Sequence, residues 1–172
     1  VGSKSKRNFT DSKCNLIVCH DLFETQERMQ IYLSPFVERH KGHKILLWNY
    51  PGQAYTTFPD KQRLNNEYHS KCLEKLVDHV GSDGTNEFKT NEPFFILGHG
   101  QGGAIACLYA KSRQQPTLKG LILINALSFV DTHFASVIHD CRNVFHCSPE
   151  ERPDLPLYFY SRFLFSDAYL QK

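Results

Sequence analysis

The chain has 172 residues, of which 41% are hydrophobic and 22% charged, as in ordinary globular proteins. Its formal net charge of +2 is too small to indicate a nucleic-acid partner. No apolar stretch reaches the roughly 18 residues that a membrane-spanning helix needs. Composition therefore favours a globular domain with its own core and argues against the nucleic-acid-binding and membrane-spanning classes.

The first part of the chain, residues 1–14, is polar and basic and lacks the apolar core of a signal peptide. We expect it to be a tail or linker. Because the chain begins with Val1 and not with methionine, the sequence indicates a piece of a longer polypeptide. Six cysteines without a C-x-x-C pair predict buried free thiols, and hence an intracellular, cytoplasmic protein.

Short apolar runs alternate with amphipathic segments along the chain. The apolar runs predict strands at residues 15–19, 44–50, 94–97 and 118–126. Apolar residues at helical spacing predict helices over residues 24–40, 63–80 and 101–114. Pro35 is expected to kink or break the first helix. This alternation predicts an α/β fold, in which a mostly parallel sheet carries helices on both faces.

Polar side chains follow the predicted strands at their carboxyl ends. In open parallel sheets, ligands bind beyond these ends. We therefore predict a pocket lined by His20, Asp21, Tyr50, His99 and Gln101.

The stretch 94–104, FFILGHGQGGA, joins an apolar run to a small-residue helix through a glycine-rich turn. It resembles the nucleophile elbow of the α/β-hydrolase family, whose G-x-S-x-G pattern would place a serine at position 100. His20-Asp21 resembles the family's H-G segment, which helps to form the oxyanion hole. Residues 50–53, YPGQ, resemble the turn after the next strand.

The resemblance covers roughly residues 15 to 130 and implies a partial α/β-hydrolase fold. It implies a hydrolase-like core at residues 15–131 and a helical cap, or the start of a lid insertion, at residues 132–172. The catalytic acid and histidine of the family would then lie on strands outside this segment. Asp131 is expected to cap the first helix of the cap.

The elbow itself departs from the family pattern. It consists of Gly98, His99, Gly100, Gln101 and Gly102, with no serine. Glycine adopts the strained elbow conformation at little cost but supplies no nucleophile. Asp21 replaces a glycine and would oppose negative charge in the hole. The sequence therefore predicts a pseudoenzyme that is not catalytic and acts as an interaction or scaffold module.

Two alternatives stay open at this point. The domain is a small-molecule receptor that keeps the pocket, or it is an active serine-hydrolase-type esterase with a displaced nucleophile. Turnover of simple esters would distinguish the second alternative from the scaffold.

Two further segments bear on partners and cofactors. Residues 139–147, HDCRNVFHC, match no zinc-ligand spacing, so neither a metal nor another cofactor is predicted. Near the carboxyl end, aromatic residues surround a predicted helix, which indicates burial against a protein partner or the remainder of a longer polypeptide. The predicted interaction surface comprises Phe159, Phe163, Phe165 and Tyr169.

Overall fold

The structure, a computed structural model, describes residues 15–40, 42–58, 63–83, 88–127, 130–147, 150, 152–164 and 169. The chain divides into two compact units, residues 1–127 and 128–172. The predicted tail at residues 1–14 and the side chains of Phe163 and Phe165 lie outside the described part.

The first unit is built on a four-stranded parallel sheet. Its strands are β1 (Asn15–Cys19), β2 (Ile45–Leu47), β3 (Phe94–His99) and β4 (Leu118–Ile124). They lie in the order β2-β1-β3-β4, and every neighbouring pair is parallel. Parallel strands need crossover connections, and three helices supply them: α1 (Gln26–Arg39), α2 (Asn66–Ser82) and α3 (Gln101–Arg113). The predicted α/β class and partial α/β-hydrolase fold are confirmed.

Polar side chains cap α1 and α2 at their first turns, whereas α3 begins at Gly100 without a side-chain cap. Asn65 caps α2, because its side-chain oxygen accepts a 2.8 Å hydrogen bond from the Tyr68 N–H. Pro35 lies inside α1 without ending it, so the expected break does not occur. The Ile31 carbonyl, which loses its helical partner at Pro35, accepts a 2.9 Å hydrogen bond from the Ser34 hydroxyl.

Apolar residues cover both faces of the sheet. Because side chains alternate along a strand, Ile17 and Cys19 face one way and Leu16 and Val18 the other. The first face packs against apolar residues of α2 and α3, and the second packs against Met29 of α1. The two central strands, β1 and β3, are thereby packed on both faces.

Strand β4 is less covered than the strands beside it. It pairs with β3 on one side, and no second partner lies among the described residues. Its apolar residues Ile122, Leu123 and Ile124 are each between 44% and 47% exposed. This edge of the sheet is therefore open in the described part of the chain.

In the described part of the second unit there are two helices, α4 (Thr132–Cys147) and α5 (Leu155–Leu164). Asp131 accepts a 2.7 Å hydrogen bond from the Phe134 N–H at the start of α4, as expected of a cap. On α5 Phe159 is half-buried, whereas Tyr169, beyond this helix, is exposed. The interaction surface predicted from these aromatic residues stays a prediction.

Neither a metal cluster nor a transmembrane helix is found in the part of the chain that the structure describes. No group of three or more potential metal-ligand side chains comes together there. None of its helices combines the length and the apolar character that crossing a membrane requires.

Candidate active site

Gly100 lies at the sharp turn from β3 into α3. Its backbone angles are φ +53° and ψ −120°, a conformation that side-chain-bearing residues adopt only under strain. The turn is fixed from two sides: the Gly100 N–H donates to the carbonyl of Ile124, and its own carbonyl accepts from the Gly103 N–H. The backbone is thus the elbow that the sequence predicted.

The other glycines of the elbow allow α3 to touch the sheet. A Cβ on Gly102 would overlap the backbone carbonyl of Cys19 in β1, and one on Gly103 would overlap the side chain of Ala126. A Cβ on Gly98 would lie 2.5 Å from the Cα of Gly103. These glycines are therefore required for packing, independently of any chemistry.

The carboxylate of Asp21 fills the space beside Gly100. A Cβ built on Gly100 would overlap the Cγ and Oδ1 atoms of Asp21. The backbone N–H groups of Gln101 and Leu22 each donate to Oδ1 at 2.8 Å. Two donors on one charged oxygen make this a strong, charge-assisted contact. Asp21 thus stands where a side chain at position 100 would begin.

A second carboxylate, that of Glu24, connects Asp21 to His99. Its Oε2 atom accepts from the Asp21 N–H at 3.0 Å and lies 2.8 Å from Nδ1 of His99. The side chains of His99 and Glu24 are 26% and 14% exposed. Because an ionised carboxylate only accepts hydrogen bonds, Nδ1 of His99 carries the proton, and in the neutral ring Nε2 carries the lone pair.

His20 and Tyr50 support the turn from behind. Both are buried, and their rings stack with centroids 4.3 Å apart. The Tyr50 hydroxyl donates to the His20 carbonyl at 2.6 Å, and Nδ1 of His20 donates to the Asp21 carbonyl at 2.8 Å. Burial raises the pKa of Tyr50, so this hydroxyl stays protonated and remains a donor.

Two glutamines hold the turn from the sides. Gln53 donates to the Leu22 carbonyl at 2.8 Å, and Gln101 donates to the side chain of Asn66 at the start of α2 at 2.9 Å. His20 binds the carbonyl of the peptide between Asp21 and Leu22, and Glu24 and Gln53 bind the peptides on either side of it, so the direction of the Leu22 N–H group is fixed.

The five residues predicted from the strand ends all lie at this edge of the sheet. His20 and Tyr50 lie in its interior, whereas Asp21, His99 and Gln101 lie at the elbow. The sequence analysis missed Glu24. The D-x-x-E spacing from residue 21 to residue 24 was a signal for a hydrogen-bonded turn, but nothing local indicated a partner 75 residues away.

Residues 10–148 match the family model Hydrolase_4, which is described as serine aminopeptidase, S33. The chain belongs to this family. It is 24% identical over 108 residues to phospholipase YtpA of Bacillus subtilis (strain 168), and 29% identical over 125 residues to proline iminopeptidase of Elizabethkingia meningoseptica. These matches cover 63% and 72% of the chain but only 38% and 39% of the relatives, so the chain spans about two fifths of their length.

Solved structures agree with the fold of the S33 family. A marine microorganism esterase superposes with a TM-score of 0.59 at 16% identity, over 93% of this chain and 57% of that one. A monoacylglycerol lipase of Paleococcus ferrophilus gives a TM-score of 0.53 at 15% identity, over 80% and 50%. Identities this low show the shared fold alone.

The prediction that the chain is not an enzyme is wrong. Its family is one of serine aminopeptidases, and both relatives carry the names of hydrolases, a phospholipase and an iminopeptidase. Nothing in the comparisons supports a pseudoenzyme, scaffold or interaction module. The sequence analysis placed the Asp21 carboxylate at the hole, but it did not predict that this carboxylate fills the space beside Gly100.

Proposed function

We propose that the protein is a hydrolase of the S33 family that reacts through a group other than residue 100, at the site formed by Asp21, Leu22, His99 and Gln101. One observation carries this proposal. The N–H groups of Leu22 and Gln101 converge on a single oxygen, each at 2.8 Å. Two fixed donors aimed at one negatively charged oxygen are what a hydrolytic transition state requires.

His99 supplies the second element of such a site. Its Nδ1 is held by Glu24 at 2.8 Å, so the ring orientation and tautomer are fixed. A neutral histidine whose other nitrogen bears a lone pair is a general base. Glu24 thus orients His99 as the carboxylate of a catalytic triad orients its histidine, although here the carboxylate follows β1 and the histidine ends β3.

The relatives indicate which bonds should be tested first. They are named a phospholipase and an iminopeptidase, so p-nitrophenyl butyrate and proline p-nitroanilide represent the ester and amide classes. We expect the protein to hydrolyse at least one of these two compounds.

Replacing the base tests its role directly. We expect His99→Gln to lower kcat by about 10²–10⁴, the usual contribution of a general base. His139→Gln on α4 is the matched control, since that histidine is 68% exposed and lies outside the elbow. No turnover of any compound, or equal rates for the two variants, would refute the proposed function.

A further inference from the structure

We infer that the first turn of α2 is an acid-sensitive switch for the elbow, with the buried side chain of His69 as its sensor. At neutral pH the folded turn supports the elbow from behind and from the side. Uptake of a proton by His69 unwinds the turn and releases the elbow. The switch governs the folding of the site and does not depend on which reaction takes place there.

The ring of His69 lies in the interior, against two other rings. Its centroid is 5.1 Å from that of Tyr50, which in turn stacks on the ring of His20 at 4.3 Å. All three residues are buried. Neither Nδ1 of His69 nor Nε2 of His20 has a hydrogen-bond partner among the described residues. Because both nitrogens of a charged imidazole carry hydrogen, protonation would leave Nδ1 of His69 as a buried donor without an acceptor.

Three features of this position oppose a positive charge on His69. Burial removes the charge from water and, together with repulsion from a charge on His20, lowers the pKa of His69 from its ordinary value of 6.5. His69 is also the fourth residue of α2, and the unpaired N–H groups of a first turn form the positive end of a helix. The folded turn therefore favours the neutral form of His69.

The other titratable groups around the three rings do not compensate for such a charge. Asp21 and Glu24 act electrostatically on Tyr50. Both carboxylates are already bound, that of Asp21 by two backbone N–H groups and that of Glu24 by His99, whose own protonation would strengthen the contact. On α2 Glu67 is exposed, and the first turn of α3 has no titratable side chain. The remaining neighbours are weak acids that stay neutral in acid: Cys19 and Tyr68.

Two hydrogen bonds connect the first turn of α2 and its ring stack to the elbow. The Tyr50 hydroxyl donates to the His20 carbonyl, so displacement of the Tyr50 ring frees the chain that follows β1. Asn66, three residues before His69, accepts a 2.9 Å hydrogen bond from the side chain of Gln101. Unwinding of this turn therefore removes support from the end of β1 and from the start of α3.

The direction of the pH effect follows from the lowered pKa of His69. Above pH 6.5 the histidine is neutral in both states, and the elbow stays closed. Between pH 6.5 and the lower pKa of folded His69, the unwound turn binds a proton that the folded turn does not. In this window each unit of acidification favours the unwound state by up to about tenfold.

Amide hydrogen exchange followed by NMR tests the switch in the wild-type protein. On going from pH 6.5 to about pH 5.5, we expect the protection factor of the Leu22 N–H, corrected for intrinsic exchange, to fall by about three- to tenfold. That of Ile96 in the central strand β3 should stay constant. The Cε1–H signal of His69 should titrate below pH 6.5. Constant protection at Leu22, or a His69 titration centred above pH 6.5, would overturn the inference.

Two histidine variants separate the sensor from other effects of acid. His69→Gln keeps a polar side chain but cannot take up a proton, so protection at Leu22 should no longer depend on pH. His79→Gln, at an exposed position in the last turn of the same helix, should keep the wild-type dependence. The same dependence in both variants would mean that another group senses the acid, and the inference fails.

The wild-type titration decides alone if His69→Gln does not fold. None of these measurements requires turnover, so a failure of the proposed function leaves the switch standing, and a failure of the switch leaves the proposed function standing.

Discussion

The space beside Gly100 holds one side chain. At present Asp21 occupies it from the end of β1, and its carboxylate is bound by the N–H groups of Gln101 and Leu22. A side chain on residue 100 would enter the same space from the end of β3. Positions 21 and 100 are therefore coupled through direct overlap, although they are 79 positions apart in the sequence.

This overlap makes Gly100→Ser a poor way of restoring a serine nucleophile. The substitution places a side chain at φ +53°, at a cost of about 1–3 kcal/mol, and pushes the Asp21 carboxylate off its two donors. We expect the combined variant Gly100→Ser with Asp21→Gly to recover part of this loss. Urea unfolding of the wild type, both single variants and the double variant should give a coupling free energy between positions 21 and 100 of about 0.5–3 kcal/mol.

Labelling by a fluorophosphonate probe tests whether the new serine reacts. The double variant leaves the two N–H groups free for a substrate oxygen, so we expect it to be labelled faster than the wild type and both single variants. Strictly additive unfolding energies would show that the two positions do not compete for space.

At the scale of elements, the glycines of the elbow serve the packing of α3 against the sheet. Helix α3 touches the sheet at backbone distance because Gly102 and Gly103 have no side chains to hold it away. Strand β1 is paired on both sides, by β2 and by β3, so the Cys19 carbonyl beneath Gly102 cannot retreat.

Two glycine-to-alanine variants compare a position that contacts backbone atoms with a position that contacts a side chain able to move. Gly102→Ala drives a methyl group into backbone, and we expect it to lower the free energy of unfolding by about 3 kcal/mol, the upper end of the usual cost of overpacking. Gly120→Ala in β4 meets only the Phe95 ring, at 3.2 Å, which can rotate away. That control should lose less than about 1 kcal/mol. Equal losses in denaturant titrations would argue against backbone contact at residue 102.

The secondary structure was largely predictable because it depends on local periodicity. Strand β1 has the bounds that the apolar run predicts, and α3 differs from the prediction by one residue at its end. The first helix was predicted over residues 24–40 with a kink or break at Pro35, but it continues through Pro35, where the Ser34 hydroxyl replaces the missing backbone donor. The spacing of apolar residues gives no information on a hydrogen bond of this kind between a side chain and the backbone.

The candidate site was predictable only in its location. Strand ends and glycines indicated the right edge of the sheet, but the meeting of Asp21 with Gly100, and of Glu24 with His99, follows from β1 and β3 being neighbours. Without that neighbour relation, Asp21 was interpreted as a defect in the hole. The structure shows its carboxylate bound by the N–H groups of Leu22 and Gln101.

For the whole molecule, burial of weak acids limits stability in alkali. Burial raises the pKa of the Cys19 thiol from an ordinary value of 9.0 to about 12 and that of Tyr109 from 10.0 to about 12. Such a group keeps its proton in the folded protein after the unfolded chain has lost it. The stability that it contributes is complete below its ordinary pKa and decreases as the pH rises towards 12.

We therefore expect the free energy of unfolding to fall above pH 9, by at most about 1.4 kcal/mol per pH unit for each such group. Cys19→Ala should flatten this fall between pH 9 and pH 12, whereas Cys107→Ala, at an exposed cysteine, should leave it as it is. Urea unfolding as a function of pH measures both. Exposed Cys107 also corrects the expectation that the thiols are buried; among the free cysteines described, only Cys19 is.

The overlap at the elbow restricts how such a site can evolve. A chain that carries a serine at position 100 cannot keep an aspartate seated as Asp21 is here, and the reverse also holds. A change from one arrangement to the other is least costly when one of the two positions becomes small before the other gains its side chain. Packing requires Gly98, Gly102 and Gly103 in either arrangement, so the glycine pattern persists whichever side chain fills the space beside residue 100.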